Sequence, residues 1–209
     1  MFNIQIVINN LTLAMIKKLA FLLIVISIYS CKSNDETYSA STIEGLSAVP
    51  QDAVKEPYED NPNLVKITIK NENGEIAEQG DMLDGKKTGV WTEYHYNGVV
   101  KSMTSYIDGF KQGIHVEMNE MGQIQLRSYY HNGVLDGDYI VYNQNRVKEE
   151  KHYAAGELEG VAKAYYDNGT IMEESPYTGG KRNGLSKWYD QEGNVSIEYE
   201  YKDGQLAKQ

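Results

Sequence analysis

The chain has 209 residues, with 30 acidic against 20 basic side chains, a formal net charge of −10, one cysteine, and 17 tyrosines and 19 glycines against 3 phenylalanines. The acidic excess repels phosphate backbones and argues against a nucleic-acid partner. A single cysteine excludes intramolecular disulfides, so packing must hold the fold. Tyrosine and glycine in these proportions point to β structure with many turns, in a chain long enough for one ordinary domain and an appendage.

The appendage is N-terminal. Residues 15–31, MIKKLAFLLIVISIYSC, begin with Lys17 and Lys18, continue as an apolar run over residues 19–29, and end in a small residue before the lone Cys31. This is the pattern of a secretory signal peptide, and the apolar run of 11 residues is well short of the roughly 20 that cross a bilayer. Ile28, Tyr29, Ser30 and Cys31 resemble the lipobox of bacterial lipoproteins. That resemblance implies acylation of Cys31, removal of residues 1–30 (an upstream extension plus the signal) and lasting membrane attachment, since more than one acyl chain anchors stably. The expected location is the cell envelope, in the outer membrane of a Gram-negative bacterium rather than the inner one. Residues 31–63 are polar, hold Pro50, Pro57 and Pro62, and show no sustained period. They read as a flexible tether, with a weakly capped short helix over 41–48 as the one alternative to coil.

The repeat domain is expected over residues 64–209. Residues 65–70, VKITIK, alternate as a half-buried strand and are followed by Asn73-Gly74 and Ile76, a degenerate first unit that caps the array. Thereafter Gly85, Gly109, Gly133, Gly156, Gly180 and Gly204 recur at spacings of 24, 24, 23, 24 and 24 residues. A second glycine rail runs at Gly89, Gly113, Gly137, Gly160 and Gly184, and a third at Gly98, Gly122, Gly169 and Gly193, with Asn145 in place of the missing glycine. Each unit reads as an outgoing strand, a turn at a pair such as Asn97-Gly98 in which both residues accept positive φ, a returning strand, and a second turn such as Asp108-Gly109. The unit around Asn145 is one residue shorter, which predicts a different turn there. Pro176 predicts an edge or a bulge, since it cannot donate to a ladder.

Even offsets predict which side chains share a face. Ile76, Val100, Ile124, Val147, Ile171 and Val195 lie six residues before Met82, Tyr106, Tyr130, Tyr153, Tyr177 and Tyr201, and Val90, Ile114, Asp138, Val161 and Leu185 lie four before Tyr94, Met118, Tyr142, Tyr165 and Tyr189. All of these are expected on one apolar, aromatic face, with Glu93, Glu117, Lys148 and Glu198 in water. One hairpin cannot offset its own ordering entropy, so neighbouring units must share that face.

The pattern Tyr-x-x-Gly-x-x-x-Gly-x-x-x-x-Tyr-x-x-(Asn)-Gly-x-β-branched, from about Gly74 to Gly204, resembles the MORN-repeat variant of the YwqK antitoxin-like family. The resemblance implies an all-β fold, an elongated, twisted antiparallel meander of tandem 24-residue β-hairpin repeats, used as a non-enzymatic platform for binding protein. A carbohydrate or cell-wall binding module is the alternative, because aromatic repeats also serve glycans. Catalysis is not expected. His95, His115, His131 and His152 share no repeat position and read as solvated rather than metal-binding, and the adjacent pairs Glu149-Glu150 and Glu173-Glu174 point to opposite faces of a strand. No cofactor is implied. Trp91, Tyr139 and Trp188 sit out of phase with the predicted buried face and are the candidate contact surface, a pair covering glycines being the competing reading.

Overall fold

The computed structural model describes residues 49–207. The leader, Cys31 and the start of the tether, with the helix considered over 41–48, lie outside the described residues. All the regular structure described is strand, in one 16-stranded antiparallel sheet. The first strands are β1 (Val54–Tyr58), β2 (Asn61–Lys70), β3 (Ile76–Leu83), β4 (Lys86–Tyr94), β5 (Val100–Ile107) and β6 (Phe110–Met118). The centre holds β7 (Ile124–His131), β8 (Val134–Asn143), β9 (Arg146–Ala154), β10 (Glu157–Leu158) and β11 (Gly160–Tyr165). The sheet ends with β12 (Ile171–Thr178), β13 (Lys181–Arg182), β14 (Gly184–Tyr189), β15 (Val195–Lys202) and β16 (Gln205–Leu206). Spatial order is chain order, with the two-residue β10 and β13 beside β9 and β12, so the sheet is an open meander of tandem hairpins.

Order begins earlier than the expected boundary at residue 64. β1 pairs with β2 through Val54↔Thr68 and Lys55↔Ile67, so residues 54–63 belong to the sheet and not to the tether. The sequence hid this because β1 is an edge strand, exposed along its whole length and carrying Pro57, whose missing donor an edge tolerates.

The two margins of the sheet use different turns. At one margin Asp84-Gly85, Asp108-Gly109 and Asp203-Gly204 take positive φ at both residues, the two-residue type that matches strand twist. At the other, the Gly98 N–H donates to the His95 carbonyl and the His95 N–H to the Val99 carbonyl, and of the loop residues only Gly98 has positive φ. This is a three-residue loop closed by a left-handed glycine, so Asn97 does not take the positive φ expected of it. Its side chain works instead: Oδ1 accepts from the Val99 N–H at 3.1 Å, and Nδ2 donates to the Glu120 carbonyl of the next unit at 2.9 Å. The short unit differs as expected, since Gln144 and Asn145 both have positive φ and form a two-residue turn between Asn143 and Arg146.

The register also corrects the assignment of faces. Gly89 pairs with Tyr106 and Val90 with Ser105, so Val90 and the tyrosine rail face opposite sides. Val100 opposes Tyr94 while Ser102 opposes Glu93, leaving Lys101 as an extra residue in β5, and the same shift recurs between Glu117 and Met118, Val141 and Tyr142, Ala164 and Tyr165, and Trp188 and Tyr189. A bulge of this kind breaks the even count on which the sequence phase rested. Val90, Ile114, Val161 and Leu185 are therefore exposed on the reverse face. Glu93 and Glu117, expected in water, lie on the tyrosine face, half-buried and exposed respectively. Pro176 is where the expectation placed it: it opposes the break between β13 and β14, and its carbonyl accepts from the Asn183 N–H.

The main core cluster sits at the N-terminal end of the tyrosine face, where Ile67, Trp91 and Tyr106 are buried under Val49, Ala53, Val65, Ile69 and Met82. Tyr106 and Tyr130 are buried, whereas Tyr153, Tyr177 and Tyr201 are half-buried, so cover thins toward the C-terminal end.

Candidate interaction surface

The three aromatic candidates have different fates. Trp91 is 3% exposed and lies over Gly80, where an added Cβ would come within 2.4 Å of the indole. Its Nε1 donates to the Asp81 carbonyl at 2.9 Å. The expectation that Trp91 is a contact residue is thus overturned, and the competing reading of a tryptophan covering a glycine is the observed one. Tyr139 is half-buried, stacked edge-on against Tyr153 at 5.8 Å with Lys151 above it. Trp188 is half-buried, but at a different place in the repeat. Trp91 is two residues after its second-rail glycine and Trp188 is four after Gly184, where the first unit has Glu93. Ser186 holds the position equivalent to Trp91 and is fully buried, and this small side chain leaves room for Tyr199 opposite it.

The result is an open groove of about 780 Å³ at the C-terminal end, lined in part by Tyr166, Trp188, Ile197, Tyr199 and Tyr201. Trp188 and Tyr199 meet edge-on at 6.0 Å. Tyr199 and Ile197 are 41% and 48% exposed, since no further unit covers them among the described residues. Sequence phase missed Tyr199, Ile197 and Tyr166; comparing positions within the repeat, rather than counting along one strand, would have separated Trp188 from Trp91.

Cations on the tyrosine face are already committed. Lys87 lies 3.9 Å above the Trp91 ring and pairs with Glu78 at 2.7 Å. At the equivalent repeat positions Arg182 stacks over Tyr177, Trp188 and Tyr201 and pairs with Glu173. Burial works against the Arg182 charge, yet the Tyr177 hydroxyl and the Glu173 carboxylate outweigh it and raise its pKa. In the middle unit the same two positions hold Leu126 and Leu135, so an apolar pair replaces the ion pair. In the next unit the acid remains as Glu149 while the cation position is Leu158, and Glu149 pairs with Lys151 at 2.8 Å. These are structural cation–aromatic stacks, and the groove beside them also takes in the acidic Asp190 and Glu192 at its rim.

The reverse face carries a second pattern. One cross-strand row runs Glu150, Lys163, Glu174, Lys187, Glu198, each directly opposite the next. Alternating charges are the favourable arrangement for such neighbours, and Lys163 Nζ lies 3.7 Å from Glu174. Toward the N-terminus the same row is Thr92, Met103, Val116, Arg127 and Ile140. Next to the ladder, the Tyr165 hydroxyl donates to Glu150 at 2.8 Å, and burial together with that carboxylate pushes its pKa up to about 12.

The histidines serve packing and turns. His115, expected in solvent, is buried, bonded to Thr104 at 2.8 Å and to Glu117 at 3.0 Å, and this bond holds the Glu117 carboxyl below its usual range. His95 reaches the Met118 carbonyl of the following unit at 2.8 Å, and Tyr166, at the equivalent position, reaches the Tyr189 carbonyl at 2.7 Å. No cluster of three or more potential metal ligands occurs among the described residues.

Residues 87–108, 158–178 and 182–203 match the family model described as a MORN repeat variant. Three of the units are thus similar to MORN repeats. Each match opens at or beside the cation position, Lys87, Leu158 or Arg182, and ends in or next to the margin turn after the returning strand. The intervening MORN-like units keep the first two glycine rails, and the second of them has Asn145 on the third. No curated protein matches the chain. MORN repeats often mediate protein or membrane interactions and are generally non-catalytic.

Proposed function

We propose that the chain is a non-enzymatic, lipid-anchored MORN-repeat protein of the bacterial cell envelope, held by acylated Cys31 and presenting its sheet to a protein partner. The observation that carries the reading is the solvent-facing aromatic groove at Trp188 and Tyr199, whose neighbouring cation, Arg182, is held in an internal stack. Rigid, half-exposed aromatics on a sheet are the usual anchors of an interface. The antitoxin-like resemblance enters only as a class of partner, another protein. The same groove supports one second reading, a glycan or cell-wall ligand stacked on Trp188.

The test has two arms. Cys31→Ser moves the protein from the membrane to the soluble fraction if the lipid anchors it; unchanged membrane association defeats the anchoring. Affinity capture from the native envelope with wild type and with Trp188→Ala/Tyr199→Ala then reads the groove. A protein lost only from the double variant supports the platform reading, and wall glycan lost in its place supports the second.

A further inference from the structure

Among the described residues the sheet has an unfilled place beside β15, and the neighbouring strands specify what fits there. Every returning strand before it receives the next outgoing strand on its far side, as β12 receives β14 through Glu174↔Lys187 and Glu173↔Trp188. On β15, β16 takes Tyr201 and Lys202, and the Glu200 carbonyl accepts from the Ala207 N–H. Among the described residues nothing pairs with the far side of residues 195–199, all of which are exposed. An exposed antiparallel edge presents the N–H and C=O groups of alternate residues to an incoming strand.

We propose that this edge binds an extended peptide strand of a partner protein by β-addition, antiparallel to β15, and that the strand carries a basic residue followed directly by a large apolar or aromatic one. The proposal rests on the protein-binding reading above and names its site and ligand chemistry. Glu198 ends the alternating row: Glu174 stands between Lys163 and Lys187, whereas Glu198 has Lys187 on one side and an open position on the other. The open position calls for a positive charge, in keeping with the chain's formal −10. The residue after that charge falls opposite Ile197 on the other face, beside Trp188 and Tyr199, where the groove accepts a large apolar side chain. β14 shows the same solution within the chain, with Lys187 against Glu174 and Trp188 against Glu173. A second copy is a poor occupant. Pairing Lys55 of its exposed β1 with Glu198 would set Glu56 against Ile197 and bring Pro57, which has no N–H, into the ladder.

The probe is a fluorescein-labelled peptide with the sequence of residues 184–190, GLSKWYD, titrated by anisotropy into the full chain. Saturable binding is expected, with amide protection appearing over residues 195–199. Glu198→Lys is expected to weaken it about tenfold, and a peptide with glutamate for its lysine to recover the loss on that variant. Glu200→Lys, the same charge change two residues along, is expected to have a much smaller effect. Equal losses from the two variants without recovery by the swapped peptide, or no saturable binding, would overturn the proposal. So would concentration-dependent dimers that Glu198→Lys dissolves, because the edge would then serve a second copy. Envelope capture of a partner that Glu198→Lys leaves intact would sink the edge site while leaving the platform reading in place.

Discussion

The two tryptophans divide the sheet. Trp91 lies at the N-terminal end among Ile67, Tyr106 and the ammonium of Lys87, sealed over Gly80, and the reverse-face row of that half is Thr92, Met103, Val116, Arg127 and Ile140, with Arg127 its one charge. Trp188 lies at the other end, flanked by Arg182 and Tyr199 and open to solvent, and its reverse face is the charge ladder from Glu150 to Glu198. One repeat unit thus supports two states of the same sheet. Where the outgoing strand carries Trp91 or His115 two places after its glycine, that side chain is buried; at Tyr139 the face is half-covered, and beyond Ser186 it opens into the groove. Stability is concentrated at one end and unsatisfied surface at the other, as expected of an array whose units bury area only against their neighbours.

The largest test of that contrast is to truncate both indoles. Trp91→Ala should cost roughly 3 to 5 kcal/mol and Trp188→Ala about 1 kcal/mol, read from urea unfolding midpoints. Equal losses would erase the distinction between a closed and an open end. Next in size is Gly160→Val. Gly160 has φ +76 and no atom within 4 Å of the place a Cβ would take, so the cost is backbone strain alone, on the order of 1 to 3 kcal/mol. A wild-type melting temperature for this variant would show that the break between β10 and β11 relaxes without its glycine.

A smaller effect sharpens the contrast within the closed end. Lys87→Leu leaves Glu78 without the partner that shields it and should cost about 1 to 2 kcal/mol, while Lys87→Leu/Glu78→Leu, the pairing that Leu135 and Leu126 already show, should return most of that loss. A double variant no better than the single would mean the stack over Trp91, and not the ion pair, holds the lysine. The smallest effect belongs to the ladder end. Because burial and the Glu150 carboxylate push the Tyr165 phenol up to about 12 in the folded chain against about 10 when unfolded, its contribution is complete below pH 10 and is lost as pH rises toward 12. Tyr165→Phe should flatten stability over that window; an unchanged alkaline limb would remove Tyr165 as its source. The sign is reversed for Glu117, whose lowered pKa gives a contribution present above its unfolded value and lost as pH falls through the folded one.

Much of the architecture was legible in the residues. Glycines at a period of 23 or 24 residues place most of the turns, because few other residues tolerate positive φ, and runs of alternating residues between close turns leave antiparallel hairpins as the economical fold. The short unit at Asn145 and the break at Pro176 followed from the same backbone limits. The faces did not follow. One extra residue per unit, Lys101 in the first, is silent in a one-dimensional count but exchanges the faces on either side of it, and only pairing across strands reveals it. Trp91 and Trp188 share a face and differ instead by their place in the repeat, the one buried over Gly80 and the other half-buried beside Tyr199, while β1, polar and proline-bearing, showed itself as a strand only once β2 lay beside it. Local chemistry determined where this chain turns; tertiary pairing decided which side chains are buried, since burial is a property of neighbours that a strand does not carry in its own sequence.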